Sequence, residues 1–264
     1  MKHIYLDNAA TTQLDQDVLE KMKPFIRDYY GNPSSIYSFG RESLKAIEQA
    51  RETVASCFNC RSSEIYFTSC GTESDNWAIK GICSSHRAKG KHIITTNIEH
   101  PAVLDTFRYM KKIGYDITLV PVEKNGIVNA SDIEKAIRKD TILISVMFAN
   151  NEIGTIQPIA EIGAIAKKHN IVFHTDAVQA AGAIPIDVKA LNIDLMSVSA
   201  HKFHGPKGVG ALYIKRGIVI DNLLHGGGQE RTRRAATENV CGIVGLAEAL
   251  RLSVENMEKN NAHI

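Results

Sequence analysis

Apolar positions along the chain recur with two different periods. Leu44, Ile47, Val54 and Ala55 fall at helical spacing and lead into Glu64-Ile65-Tyr66-Phe67-Thr68, a short β-branched and aromatic run. That order predicts a helix followed by a strand. The alternation continues with a helix from about Thr72, a strand over 92–98, a helix over 102–112 and a strand over 117–122. A helix over 131–137, a strand over 141–148, a helix over 159–169 and a strand over 171–176 follow, then strand-like runs at 195–199 and 210–214. Serial β-α units of this kind predict an α/β fold with a mostly parallel sheet covered by helices on both faces. No low-complexity linker, charge block or repeat interrupts the series, so no interior domain boundary shows in the pattern. From Glu238 the positions Val240, Ile243, Val244, Ala247, Leu250 and Val254 describe one long amphipathic helix running almost to Ile264, where it looks cut in mid-course.

Composition narrows the picture. With 264 residues, 44% of them apolar, the chain can bury the core of one large domain. Its 31 basic and 29 acidic residues are spread without a patch, so neither nucleic acid nor a membrane surface is an expected partner. No apolar run is long enough to span a bilayer, and Met1 to Asp7 enter a strand-like stretch without a signal-peptide core. A cytoplasmic protein is expected. Five cysteines, odd in number and irregularly spaced, fit a reducing compartment better than a disulfide framework. Cys57-Phe58-Asn59-Cys60 has redox-pair or metal-pair spacing, but no second Cys or His pair lies near it. The two read as ordinary thiols at a helix end, and no metal site is expected.

In an open α/β sheet, ligands bind outside the carboxyl ends of the strands, which makes the polar residues just after each strand the candidates. Thr68-Ser69-Cys70-Gly71-Thr72-Glu73-Ser74 joins a strand to a helix. Gly71 permits close backbone approach, Thr72 can cap, and the free N–H groups of the new helix suit a phosphate, although any well-capped helix reads the same way. Asp176 ends an apolar strand, where a protonated ring nitrogen would hold it ionised; the alternative is a solvated helix cap. Lys202 follows a buried strand and precedes the turn from His204 to Gly208, a setting where desolvation frees an amine for carbonyl chemistry. Its rival Lys207 sits within that turn and reads as a solvated surface lysine. Ser199 and His201 flank Lys202 and can bind the same anion. Asp176 and Lys202 are one β-α-β step apart, so adjacent strands can bring both to one ring. His100, after the strand over 92–98, can stack on a planar cofactor or shuttle protons, although a lone histidine is more often structural. Together the four places offer an amine for an aldehyde, a carboxylate for a ring nitrogen, donors for a phosphate and a residue for a ring face. These are the requirements of pyridoxal 5'-phosphate (PLP).

The chain resembles the cysteine desulfurases of the NifS/IscS type, within the class V aminotransferase group of fold type I PLP enzymes. Tyr5-Leu6-Asp7-Asn8-Ala9-Ala10-Thr11-Thr12, Gly31-Asn32-Pro33-Ser34-Ser35, the Gly71 segment and Glu99-His100 carry the likeness, with Asn150-Asn151-Glu152-Ile153-Gly154, the Asp176 and Lys202 segments and Gly226-Gly227-Gly228-Gln229-Glu230-Arg231. The resemblance implies a three-layer PLP-dependent transferase large domain over 16–237. Residues 1–15 would belong to the small domain, 238–264 would begin an interdomain helix, and the rest of the small domain would be largely absent. It makes Lys202 the lysine that condenses with the cofactor aldehyde, Asp176 the partner of the ring nitrogen, and Gln179 a donor to the ring hydroxyl. Gly71, Thr72, Ser199 and His201 would bind the phosphate, with Thr237 reaching in from the neighbouring subunit of a homodimer. His100 would stack on the ring and move protons, and Asn151 would contact cofactor or substrate. Lys202 and His100 are thus the expected catalytic pair. The implied activity takes sulfur from L-cysteine, leaving alanine and a protein persulfide for iron–sulfur cluster or thio-cofactor synthesis, with an acceptor or scaffold protein as partner.

Two features depart from that pattern. The family's persulfide cysteine and substrate-carboxylate arginine belong to a C-terminal region outside these 264 residues, so PLP binding is expected and full turnover is expected to be impaired. Thr232-Arg233-Arg234-Ala235-Ala236-Thr237 replaces the usual glycine-containing form. A selenocysteine lyase, a small-amino-acid aminotransferase and a non-catalytic PLP-binding or dimerising module are the competing readings.

Overall fold

The computed structural model describes residues 4–263. Its seven strands are β1 (Ile65–Thr68), β2 (His92–Thr96), β3 (Asp116–Val120), β4 (Thr141–Ser145), β5 (Val172–Asp176), β6 (Leu195–Ser199) and β7 (Gly210–Ile214). They form one sheet in the order β1-β7-β6-β5-β4-β2-β3. Only β7 runs against its neighbours; β6, β5, β4, β2 and β3 are mutually parallel. The helices are α1 (Gln16–Arg27), α2 (Ser38–Cys57), α3 (Gly71–His86), α4 (Pro101–Lys112), α5 (Ala130–Lys135), α6 (Ile159–Lys168), α7 (Val240–Glu255) and α8 (Met257–His263).

The strands read as unbroken apolar runs because both faces are covered. Ile93, Leu143, Val172, Leu195 and Leu212 pack against α3 and α4, through Ile79, Ile82, Val103 and Phe107. Their neighbours Ile94, Ile144, Phe173, Met196 and Ala211 face the opposite core, built with Val18, Ile47, Val54, Ile162, Leu246 and Leu250. Alternate side chains of one strand thus serve two cores, which gives the three-layer architecture.

Three expectations are corrected. Residues 4–7 have no regular structure, and Met1 to His3 of the expected strand-like stretch lie outside the described residues. The step from β5 to β6 is a series of turns rather than a helix, although the two strands are adjacent and parallel. The terminal helix is two helices: it breaks at Asn256, whose side-chain amide donates to Leu252 O at 2.9 Å, just past the last position of the apolar stripe. Helix α1 was not expected from the pattern. It buries only Val18 and Met22, carries Pro24 inside, and is opened by Asp15, whose carboxylate accepts from Asp17 N at 2.7 Å.

Strand β1 is an edge strand, and its outward backbone groups are satisfied by an ion pair. Arg51 donates through Nη1 to Ile65 O at 2.9 Å, while Phe67 N donates to Glu230 Oε2 at 2.8 Å. The two side chains close on each other as a fork, Nη1 to Oε2 at 2.7 Å and Nη2 to Oε1 at 2.8 Å. Their side chains are only 3% and 2% exposed. Glu230 reaches this position through a left-handed turn: Glu230, Arg231 and Thr232 have φ of +44°, +57° and +67°, and Ala236 follows at +101°. Side chains with a Cβ are strained there. Ala236→Gly is therefore expected to raise stability by about 1 kcal/mol in urea denaturation.

Candidate functional site

The carboxyl ends of β1, β2, β4, β5 and β6 lie along one edge of the sheet, and the connections leaving them line one cavity of about 260 Å³. Gly71, Thr72, His100, Asn151, Asp176, Gln179, Ser199, His201 and Lys202 all line it. Thr237 does not; it is exposed on the segment between the Glu230 turn and α7.

Helix α3 opens at Gly71 after Cys70, whose side chain makes no cap hydrogen bond, so the first N–H groups of a four-turn helix are left for a ligand. The position must be glycine because a Cβ would meet Val178 Cγ2 at 2.8 Å and Ser199 Cβ at 3.4 Å. Gly210 has the same role one strand away. A Cβ there would meet Val198 O at 2.7 Å and Cys70 C at 2.8 Å, and its absence lets β7 slip between β1 and β6. The helix terminus consequently sits beside Ser199 and His201.

Lys202 lies in a single 3-10 turn after β6 and is half-buried. Burial lowers its amine pKa, and the Asp176 carboxylate, with Asp7 and Glu152 further off, works in the opposite direction. Its Nζ donates to Ala9 O and, at 3.0 Å, to Ala10 O. Gln179 Nε2 also donates to Ala9 O, at 2.9 Å. The N-terminal segment is held across the mouth of the cavity by further bonds, Thr12 N to His201 O at 2.9 Å and His201 Nδ1 with Thr11 Oγ1 at 3.1 Å.

Asp176 ends β5 in register with Ser197 of β6, which explains how it and Lys202 reach one cavity. It is 5% exposed, and Oδ1 accepts from Val178 N at 2.9 Å. Burial raises its pKa; His100 and Lys202 pull it back. His100 caps α4, with Nδ1 accepting from Ala102 N at 3.1 Å, so Nε2 is the nitrogen left for chemistry. Asn151 is turned to Glu152, its Nδ2 donating to Oε1 at 2.7 Å.

Several cavity residues were not singled out in the sequence. Cys70 and Val178 line the wall as chain neighbours of Gly71 and Gln179, and Met147, Ala149 and Ala10 line it from elsewhere on the chain. Asp75 is the important omission, and a signal for it existed: it stands four residues after Gly71 on the α3 stripe that continues through Ala78, Ile79 and Ile82, an apolar face where a carboxylate is out of place.

The donor set fits PLP. A glycine-opened helix terminus, a buried carboxylate with no cation hydrogen-bonded to it among the described residues, and an amine of lowered pKa converge on a cavity that a Cβ at Gly71 would narrow. On an open α/β sheet this arrangement is that of the large domain of a PLP-dependent enzyme. Residues 4–264 match the family model described as aminotransferase class-V, and the chain belongs to that family, with PLP as its cofactor. It is 58% identical over 260 residues to the cysteine desulfurase IscS of Clostridium botulinum (strain Hall), covering 98% of this chain and 66% of that protein. With the IscS of Methanosarcina thermophila the identity is 59%, covering 98% of this chain and 64% of that one. The solved structure of a NifS-like protein superposes with a TM-score of 0.97 at 47% identity, over 99% of this chain and 72% of that chain. A structure described as SspA in complex with cysteine gives 0.92 at 43%, over 94% and 72%. The chain thus spans about two thirds of the length of the curated relatives it matches. Among the described residues no helix is long and apolar enough to cross a membrane.

Proposed function

We propose that this chain is the cofactor-binding part of a cysteine desulfurase, acting on L-cysteine to release alanine and pass sulfur to an acceptor or iron–sulfur scaffold protein. The observation that carries the reading is the convergence of Lys202, Asp176 and the Gly71 helix terminus on one cavity. PLP, once bound, supplies the electron sink for a carbanion at the substrate Cα. Phosphate binding falls to the N–H groups at Gly71 and Thr72 with Ser199 and His201. Asp176 pairs with the ring nitrogen, Gln179 with the ring hydroxyl, and His100 covers the ring face. Lys202, freed from the Ala9 and Ala10 carbonyls, removes the Cα proton, and His100, whose Nε2 carries the ring proton while Nδ1 accepts from Ala102 N, donates that proton. Asn151 orients cofactor or substrate.

The reading includes the division into residues 1–15, 16–237 and 238–264, a cytoplasmic location and a homodimer. Tyr30, Ile36, Tyr37 and Phe39 are 72%, 90%, 61% and 51% exposed, an apolar surface that supports contact with a second copy. Thr237 would then reach the partner's phosphate.

The test uses the purified, coloured protein with L-cysteine in deuterated water. Exchange at Cα is the expected result, with alanine and sulfide in equal amounts under a thiol reductant only when the region carrying the family's persulfide cysteine is also supplied. A 2-oxo acid in place of sulfide would transfer the assignment to an aminotransferase, and a protein that takes up no colour would remove it.

A further inference from the structure

Residues 4–10 form an arm that is exposed along its whole length, with Ile4, Tyr5 and Leu6 at 79%, 56% and 86%. Apolar burial therefore does not hold it. The chain becomes fixed only at Thr12, which is buried against the turn after β6: Thr12 N donates to His201 O at 2.9 Å, and Thr12 Oγ1 accepts from His204 N at 2.7 Å. Asp15 N adds a bond to His204 O at 3.0 Å. Ahead of that anchor the attachments are few. Among the described residues, every hydrogen bond from residues 4–10 to the rest of the chain ends on the carbonyls of Ala9 and Ala10, and the only donors are Lys202 Nζ and Gln179 Nε2. Ala10 N turns back to Asp7 O at 3.1 Å, within the arm itself.

Ala9 O accepts from both donors at once. It is a carbonyl oxygen seated between an amine and an amide, the two groups to which the PLP reading gives an aldehyde and the neighbouring ring hydroxyl. Lys202 cannot serve the arm and the aldehyde together. A lysine ammonium has three protons, and here two of them point to Ala9 O and Ala10 O. Condensation with an aldehyde forms a C=N bond and releases the aldehyde oxygen as water with two of the nitrogen's protons, so the nitrogen keeps one and is tied to the ring. Thr11, at the hinge, contacts His201 Nδ1 at 3.1 Å, which leaves His201 Nε2 for the phosphate.

Resting on the PLP reading, we propose that residues 4–10 are an intramolecular competitor of the cofactor: the Ala9 carbonyl holds its place on Lys202 and Gln179, and the arm swings out about Thr12 when PLP is taken up. The two side chains thus keep hydrogen-bond partners before loading. The coupling is reciprocal, so PLP loosens the arm by the same factor by which the arm weakens PLP. Three hydrogen bonds, offset by the cost of ordering the arm, set that factor at about tenfold.

The test is chymotrypsin cleavage of the full chain at Tyr5 and Leu6, followed by mass spectrometry as loss of the N-terminal residues. A docked arm must leave the body to enter the protease, so the rate reports the undocked population. Stoichiometric PLP is expected to speed this cleavage about tenfold without speeding cleavage elsewhere. Inorganic phosphate alone, which suits the Gly71 helix terminus and leaves Lys202 to the arm, is expected to leave the rate unchanged. Lys202→Ala, with its fold checked by thermal melting, is expected to be cut at the fast rate with or without PLP. A chain that colours with PLP and is cut no faster than before would overturn the proposal and leave the PLP reading intact. An equal acceleration by phosphate would also overturn it, because the arm would then answer to the anion site and not to Lys202. A chain that takes up no colour would instead remove the PLP reading. Should the variant fail to fold, the parent with and without PLP still decides.

Discussion

Lys202→Ala is expected to purify without the yellow colour of the parent and to exchange Cα deuterium from L-cysteine at least about a thousandfold more slowly. Under the proposed function two roles would be lost together: the amine that condenses with the cofactor aldehyde and the base that removes the Cα proton. The fold should survive, because the side chain contributes only its hydrogen bonds to the Ala9 and Ala10 carbonyls. Such bonds are worth about 1 kcal/mol net each. An absorption spectrum and a thermal melt, recorded on the same sample, separate loss of chemistry from loss of structure. A variant that keeps the parent's colour through dialysis would assign the chemistry elsewhere, with Lys207 the first residue to examine.

Glu230→Ala is expected to cost about 3–5 kcal/mol in chemical denaturation, the range for removing one partner of a buried pair. Arg51 would be left charged and buried against the Phe67 ring, 4.8 Å from its centroid, and Phe67 N would lose its acceptor. Arg51→Met combined with Glu230→Met removes both charges and is expected to recover part of the loss, although Phe67 N stays unpaired; Ile65 O keeps the bond from Arg231 Nη2 at 2.6 Å. A single variant as stable as the parent would mean that water satisfies this edge.

The layered fold was legible because its signal is repeated. Each strand is a short apolar run, each covering helix carries its own stripe, and the order of the two classes admits few topologies. The reversed direction of β7 was not legible, since its sequence, Gly210 to Ile214, reads the same in either orientation. Asn256 ends the long helix by a side-chain hydrogen bond that no apolar periodicity records. The cavity was legible to the extent that its residues follow strands directly: Asp176, Ser199, His201, Lys202 and His100 were found by that rule alone. Asp75 escaped it because it projects from the body of a helix one turn beyond the expected position. The N-terminal carbonyls at Ala9 and Ala10 escaped it because a backbone contact 193 residues distant leaves no trace in local composition.

The ion pair on β1 also bears on how copies of this chain can meet. A bare strand margin is a template for further strands, and a seven-stranded sheet has two margins. One is sealed, since Arg51 and Glu230 occupy the backbone groups an incoming chain would seek. The other, at β3, is guarded only by charge, with Asp116 bound to Arg138 at 2.9 Å and Leu119 half-open to water. Fibrous or swapped assemblies of this protein would therefore be expected to start from the β3 side, and a lysine in place of Leu119 is where a more soluble form should be sought.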